Sequence, residues 1–224
     1  PLIEIAPYVK AFCEVKDNVC DLDCANAGAV DIDCKSEDPD KELVAFYKFE
    51  KNLLDAMNGN NGSGNGLTYV KKGRRFALHF NNIADFFAAD ISSHNLDKSD
   101  FSIKGVVRTR DATGNILNNI NGENQVSVSL VKGRLIASFT DGTTTSRIRG
   151  KKINDAKWHN FLLSIDRDGK MKLKVDKESI IESDISQFKE NSISGDFLLG
   201  AKIIGQGDFA GDIDYLKIWN YAVI

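Results

Sequence analysis

The stretch Asn154–Asp176, NDAKWHNFLLSIDRDGKMKLKVD, decides the fold. Trp158, Asn160, Leu162, Ser164 and Asp166 alternate with His159, Phe161, Leu163 and Ile165, and a two-residue period is what a strand with two unlike faces requires. Asp168-Gly169 is expected to supply the positive φ angles of a two-residue hairpin turn. Beyond it Met171, Leu173 and Val175 share one face and Lys170, Lys172 and Lys174 the other, so the returning strand has a dry side and a wet side. Repeated along the chain, this pattern predicts an all-β, antiparallel two-sheet sandwich.

Outward from this hairpin the pattern holds. DFSIKGVVRTR (Asp100–Arg110) places Phe101, Ile103, Gly105 and Val107 on one face and Ser102, Lys104, Val106 and Arg108 on the other. VSVSLV and RLIASFT meet at Lys132-Gly133, TTTSRIRG follows Asp141-Gly142, and the chain closes with DFLLGA and DFAGDIDYLKIWNYAVI. LVAFYKFE, from Leu43, opens the series and ends in Glu50. The Gly/Asn tract Asn58–Gly66 lies between strands and lacks the GxGxxG and Gly-Lys-Ser/Thr patterns, so it is a loop and not a phosphate cradle. Turn signals recur at short intervals and no long amphipathic helix is evident, as expected of a sandwich.

A chain of 224 residues holds one sandwich and a small appendage. Its formal charge of −3 arises from interspersed acids and bases, which favours neither nucleic acid nor a membrane surface as partner. No apolar run reaches the ~18 residues of a membrane span. The opening PLIEIAPYVK lacks the features of a signal peptide, so the chain is expected to be a mature or excised segment.

Residues 1–40 form a separate unit containing all four cysteines, Cys13, Cys20, Cys24 and Cys34. An even set in a short polar segment is expected to form disulfides in an exported protein, with pairing open. The alternative is zinc, for which only Cys20 and Cys24 have ligand-like spacing. Asp17, Asp21, Asp23, Asp31 and Asp33 crowd around them, either as hard oxygen ligands for Ca²⁺ or as a solvated acidic face. SEDPDK (Ser36–Lys41) marks the boundary with the sandwich, residues 41–224.

Taken in order, LVAFYKFE, the Gly/Asn loop, DFSIKGVVRTR, AKWHNFLLSIDRDG, DFLLGA and GDIDYLKIWNYAV resemble the laminin-G-like, pentraxin-like and concanavalin A-like jelly rolls over about Leu43–Ile224. The Cys/Asp-rich segment is faintly similar to a Lin-12/Notch repeat, with four cysteines in place of six. The jelly-roll resemblance implies that first and last strands lie side by side. It also implies a secreted or cell-surface domain that binds glycans or cell-surface and matrix proteins, often with structural calcium. Carried over by position, the calcium ligands would be Asp214 with Glu50 or Asp212. A second, rim calcium site of laminin-type members wants an Asp where Asn124 and Gln125 stand, so no rim ion is expected.

Catalysis is not expected. Polysaccharide hydrolases of this fold carry Glu-x-Asp-x-x-Glu on one strand, to bring nucleophile and acid about 5 Å apart, and neither Asp212–Asp214 nor Glu182–Asp184 completes it. No Gly-x-Ser-x-Gly elbow is present, and His79, His94 and His159 are isolated and expected to be structural. For a glycan ligand, ILNNINGEN is read as a loop offering the amides of Asn118, Asn119 and Asn121. Phe86, Phe87, Trp219 and Tyr221 are candidate stacking platforms, although Trp158 and Trp219 are expected to fill core. Two other readings stand beside a non-catalytic binding domain. One is a surface-layer or filament subunit that adds residues 1–9 as a strand to a neighbour's sheet; the other is a glycoside hydrolase.

Overall fold

The computed structural model describes residues 43–57, 60–90, 96, 98–121, 124–193 and 195–224. Expectations for residues 1–9, the four cysteines, Asp17, Asp21, Asp23, Asp31, Asp33 and His94 lie outside them. The strands are β1 Leu43–Tyr47, β2 Ser63–Asn65, β3 Thr68–Lys72, β4 Arg75–Asn81, β5 Phe86–Ala89, β6 Phe101–Arg108, β7 Gly114–Asn121, β8 Asn124–Val131 and β9 Arg134–Thr140. They continue with β10 Thr145–Lys152, β11 His159–Ile165, β12 Lys170–Val175, β13 Ile181–Asp184, β14 Phe197–Leu199, β15 Ala201–Ile203, β16 Gln206–Gly207 and β17 Ala210–Trp219. A single 3₁₀ turn, Ser186–Phe188, is the only helical element among the described residues.

Two antiparallel sheets form the sandwich. One runs β13-β12-β11-β6-β17-β4-β3 with β1 also on β17, the other β10-β9-β8-β7-β14-β5-β2. The alternation that predicted the strands is the alternation of burial. Met171, Leu173 and Val175 of β12 face the core with Phe161, Leu163 and Ile165 of β11 and Phe101, Ile103 and Val107 of β6. The opposing sheet contributes Val126, Val128, Leu135, Ala137, Phe139 and Phe197. Phe101 meets Phe197 across the sandwich with ring centroids 6.0 Å apart, and Phe188 of the 3₁₀ turn stacks on Phe139 at 4.9 Å.

The first and last strands are neighbours, as the jelly-roll resemblance implied: Leu43 lies opposite Trp219 and Tyr47 opposite Leu216. One edge of β17 is shared end to end. Its first half, Ala210–Ile213, pairs with β4, and its second half pairs with β1. Between these halves β17 bulges against β6, so that Asp214 and Tyr215 together stand opposite one residue of the partner. Gly105, beside the bulge, has no room for a side chain. A Cβ there would lie 2.7 Å from the Phe161 ring and 3.3 Å from the Tyr215 carbonyl oxygen.

Two turns illustrate how tertiary contacts decide local geometry. Lys132 and Gly133 both have positive φ, 52° and 75°, and make the two-residue turn expected between β8 and β9. The β11–β12 turn differs from expectation, since neither Asp168 nor Gly169 has positive φ. It is wider, closed by Gly169 N–H to the Asp166 carbonyl at 3.1 Å and Asp166 N–H to the Lys170 carbonyl at 3.0 Å. Arg167 explains the widening. Its amide donates to Asp100 Oδ1 at 2.8 Å, while its buried guanidinium donates to the Asn191 carbonyl and lies 5.0 Å from the Phe139 ring.

Candidate binding face

The outer face of the eight-stranded sheet carries a row of lysines and an ionic cluster. Leu162 on β11 lies opposite Lys174 of β12 and Lys104 of β6, and Lys104 lies opposite Lys217 of β17. The result is one cross-strand row, Lys174–Leu162–Lys104–Lys217. At a strand spacing of ~4.8 Å, Lys174 and Lys104 originate roughly 10 Å apart and Lys217 one strand further on. Like charges directly opposite on a sheet repel. Lys217 is partly accommodated by the rings of Phe46 and Trp219, 4.8 and 5.7 Å from its ammonium. Among the described residues Lys104 and Lys174 have no ion pair.

A cleft of about 720 Å³ opens over this row, lined by Lys104, Asn160, Leu162 and Lys174 and bounded by Lys151, Asp176 and Glu178. Lys151 braces that boundary, 3.2 Å from Asp176 and 3.6 Å from Glu178. On the other side the next row is covered by the chain's last described residues. Ser102 Oγ donates to the Tyr221 carbonyl at 2.9 Å and accepts the Val223 amide at 2.9 Å, and Ser164 Oγ accepts the Ile224 amide at 3.3 Å.

One end of the face is a closed ionic cluster. Asp214 is 1 % exposed, and its Oδ2 accepts from Lys72 Nζ at 2.6 Å and Arg75 Nη2 at 2.9 Å. Asp212 accepts from Arg108 Nε at 2.7 Å and contacts His79 Nδ1 at 2.8 Å. Trp158 lies half-buried between the two, 4.4 Å from the Lys72 ammonium and 4.7 Å from the Arg108 guanidinium carbon. The expectation that Trp158 fills core is therefore corrected: it belongs to the outer row, clasped by cations. Trp219 is 3 % exposed.

The carboxylates nominated for calcium have other partners. Glu50 Oε2 accepts the Phe76 amide at 3.1 Å, and Asp212 and Asp214 are engaged as above. Among the described residues no three His, Cys, Asp or Glu side chains converge as a metal site. A calcium ion takes about six to eight oxygens, and the groups beside Asp214 are ammonium and guanidinium. These residues do not fit a calcium ion.

His159 forms a second ionic clamp. Its Nδ1 donates to Asp176 Oδ2 and its Nε2 to Asp155 Oδ1, each at 2.8 Å. Carboxylates only accept, so both ring nitrogens carry protons. Burial opposes that charge but is outweighed by the hydrogen bonds and charges of Asp155 and Asp176, and the imidazole is held above its ordinary 6.5.

The amide loop is also corrected. Asn118 and Asn119 lie within β7, paired on both sides by β8 and β14, and are 1 % and 0 % exposed. Asn118 Nδ2 donates to the Lys202 carbonyl at 2.9 Å, and Asn119 Nδ2 to the Asp196 carbonyl at 3.2 Å. They tie β7 to the chain around β14 and present nothing to a sugar. Asn121 ends the same strand. Of the proposed platforms, Phe87 is buried in the core while Phe86 and Tyr221 are half-buried. Sequence reasoning missed Lys104, Lys174 and Lys217; the alternation of KMKLKV showed one member, but the row exists only through the register of four strands.

Among solved structures, the chain is similar to the binding domain of Paraclostridial Mosquitocidal Protein 1, with a TM-score of 0.70 and 15 % identity over 82 % of this chain and 50 % of that one. It is similar to the binding domain of botulinum neurotoxin serotype G, with a TM-score of 0.61 and 18 % identity over 80 % and 48 %. It therefore spans about half the length of these toxin domains. Domain 4 of AbnA, a GH43 extracellular arabinanase from Geobacillus stearothermophilus solved with arabinotriose, matches with a TM-score of 0.63 and 17 % identity over 82 % of this chain and 94 % of that domain. At such identities these likenesses establish the fold. The family model for the laminin G domain matches residues 107–219, half of the chain from the last residues of β6 to the end of β17, and the chain belongs to the laminin G domain family.

Proposed function

We propose that this chain is a non-catalytic binding module of an exported or cell-surface protein, and that it takes an acidic glycan across the outer face of its eight-stranded sheet. The row Lys174–Leu162–Lys104–Lys217 carries this reading. Lys104 and Lys174, on the same face and without ion pairs among the described residues, are free to meet an anion laid across the row. The open cleft above them admits a polymer, with Asn160 exposed as a hydroxyl-bonding amide and Leu162 as an apolar floor. Family membership supports a binding role, as does the likeness to an arabinanase domain solved with arabinotriose. Neutral sugars are the contrasting class, since they would bring no charge to Lys104 and Lys174.

The test is titration calorimetry with uronic-acid, sulfated and neutral oligosaccharides of equal length. Acidic chains should bind, with affinity falling as salt rises. At ~1 kcal/mol per exposed charge pair, Lys104→Ala with Lys174→Ala should weaken binding roughly twenty- to thirtyfold. Equal binding of neutral chains, or indifference to the double substitution, would overturn the assignment. Binding of an acidic protein but no acidic glycan would move the face to a protein partner.

A further inference from the structure

We infer that the closing strand of this chain carries its own cation: the Lys72 ammonium, seconded by Arg75, holds the place at Asp214 that a divalent metal ion would take. Asp214 sits at the β17 bulge, where β4 gives way to β1 along one edge. β1, β4 and β6 all meet β17 there. Lys72 ends β3 and Arg75 begins β4, so the short β3–β4 turn delivers both cations to one carboxylate oxygen, at 2.6 and 2.9 Å. Glu50, just beyond β1, is engaged by the Phe76 amide beside Arg75.

The local charge count leaves nothing for a dication. Asp212 and Asp214 face Lys72, Arg75 and Arg108, two negative groups against three positive ones. The other Asp214 oxygen, Oδ1, is buried without a hydrogen-bond partner. One such atom is far from the six to eight oxygens of a calcium shell. Trp158 completes the arrangement by laying its ring against the same ammonium, and this gives the site an optical reporter.

Terbium, a calcium surrogate whose emission is excited by a nearby indole, tests the inference in the full chain. Wild type, Trp158→Phe and Asp214→Asn should show the same calcium-competed emission, so that any ion elsewhere in the chain contributes equally to all three. Thermal melting followed by circular dichroism should give Lys72→Met a lower midpoint that calcium does not restore. Emission in wild type that calcium quenches and that both Trp158→Phe and Asp214→Asn abolish would overturn the inference. So would a calcium-dependent rise in melting temperature that Asp214→Asn removes.

Discussion

Replacing His159 by Gln removes a cation held between two carboxylates. The imidazolium is 5 % exposed and donates at 2.8 Å to Asp176 and to Asp155. A hydrogen bond to a charged group contributes about 1.5–3 kcal/mol. Asp155 is exposed and water replaces most of its bond, so the loss is dominated by Asp176, at ~2 kcal/mol. Asp176 also accepts the Asn160 amide at 2.9 Å and Lys151 at 3.2 Å, so the clamp fastens β11 to the start of the loop after β12. For a domain of this size ~2 kcal/mol lowers the melting temperature by about 4–8 °C.

The wild-type pH profile should carry the same signature. A folded-state value above the unfolded 6.5 means that the native chain binds the proton more tightly. The stabilisation is thus complete below about pH 6.5 and drains away as pH rises through the folded value, at about 1.4 kcal/mol per unit of elevation. Asp155 and Asp176 mirror it on the acid side. The His159 hydrogen bond leads in lowering Asp155, while for Asp176 burial acts in the opposite direction and is overcome by His159, the Asn160 amide and Lys151; both lie below their ordinary 3.8. Their contribution is present above that value and is lost as pH falls through the folded one. Urea denaturation across this range should show a wild-type decline on the alkaline side that His159→Gln abolishes, and nitrogen-15 spectra should show both imidazole nitrogens protonated at neutral pH. Coincident profiles for the two proteins, or an imidazole that titrates at or below 6.5, would refute the clamp.

Gly105→Ala should destabilise the sheet by about 1–3 kcal/mol in urea denaturation, because the added methyl meets the Phe161 ring at the β17 bulge; an unchanged midpoint would show that the bulge yields. Ser102→Ala should accelerate hydrogen exchange at the Val223 amide, which donates to the missing hydroxyl, while β11 and β12 amides keep their protection. Uniform exchange across both regions would mean that the terminal residues are held by something else.

The strands were legible because burial alternates with the residues, and the pairing of the first strand with the last was implied by the jelly-roll resemblance that LVAFYKFE and GDIDYLKIWNYAV help to carry. Trp158 shows where two signals conflicted. Alternation put it on the face of Asn160, Leu162 and Ser164, whereas its hydrophobicity argued for core, and the alternation was right because Lys72 and Arg108 provide a surface on which an indole rests. Asn118 and Asn119 were taken for a loop because asparagine clusters favour turns. In β7 the same amides cap carbonyls of the chain flanking β14, some eighty residues away, a partnership no local pattern contains. For Asp214 the calcium expectation rested on an acid visible in sequence, while the cations that engage it at the bulge come from a turn about 140 residues earlier.

The two charge groups on this face obey opposite logic, and that contrast separates structure from function. At the bulge Asp212 and Asp214 each meet a guanidinium or ammonium at salt-bridge distance, both are nearly inaccessible, and an aromatic ring lies against the cations. Such a cluster has its charges met from within the chain. Along the lysine row the charges have one sign, Lys104 and Lys217 stand directly opposite, and a cleft lies open above Lys104 and Lys174. Repulsion between neighbours costs stability that a sequence free to vary could recover by replacing one lysine with an acid, as Lys170 and Glu182 do across β12 and β13. On the function proposed above, Lys104 and Lys174 beside that cluster are the charges an anionic partner would meet.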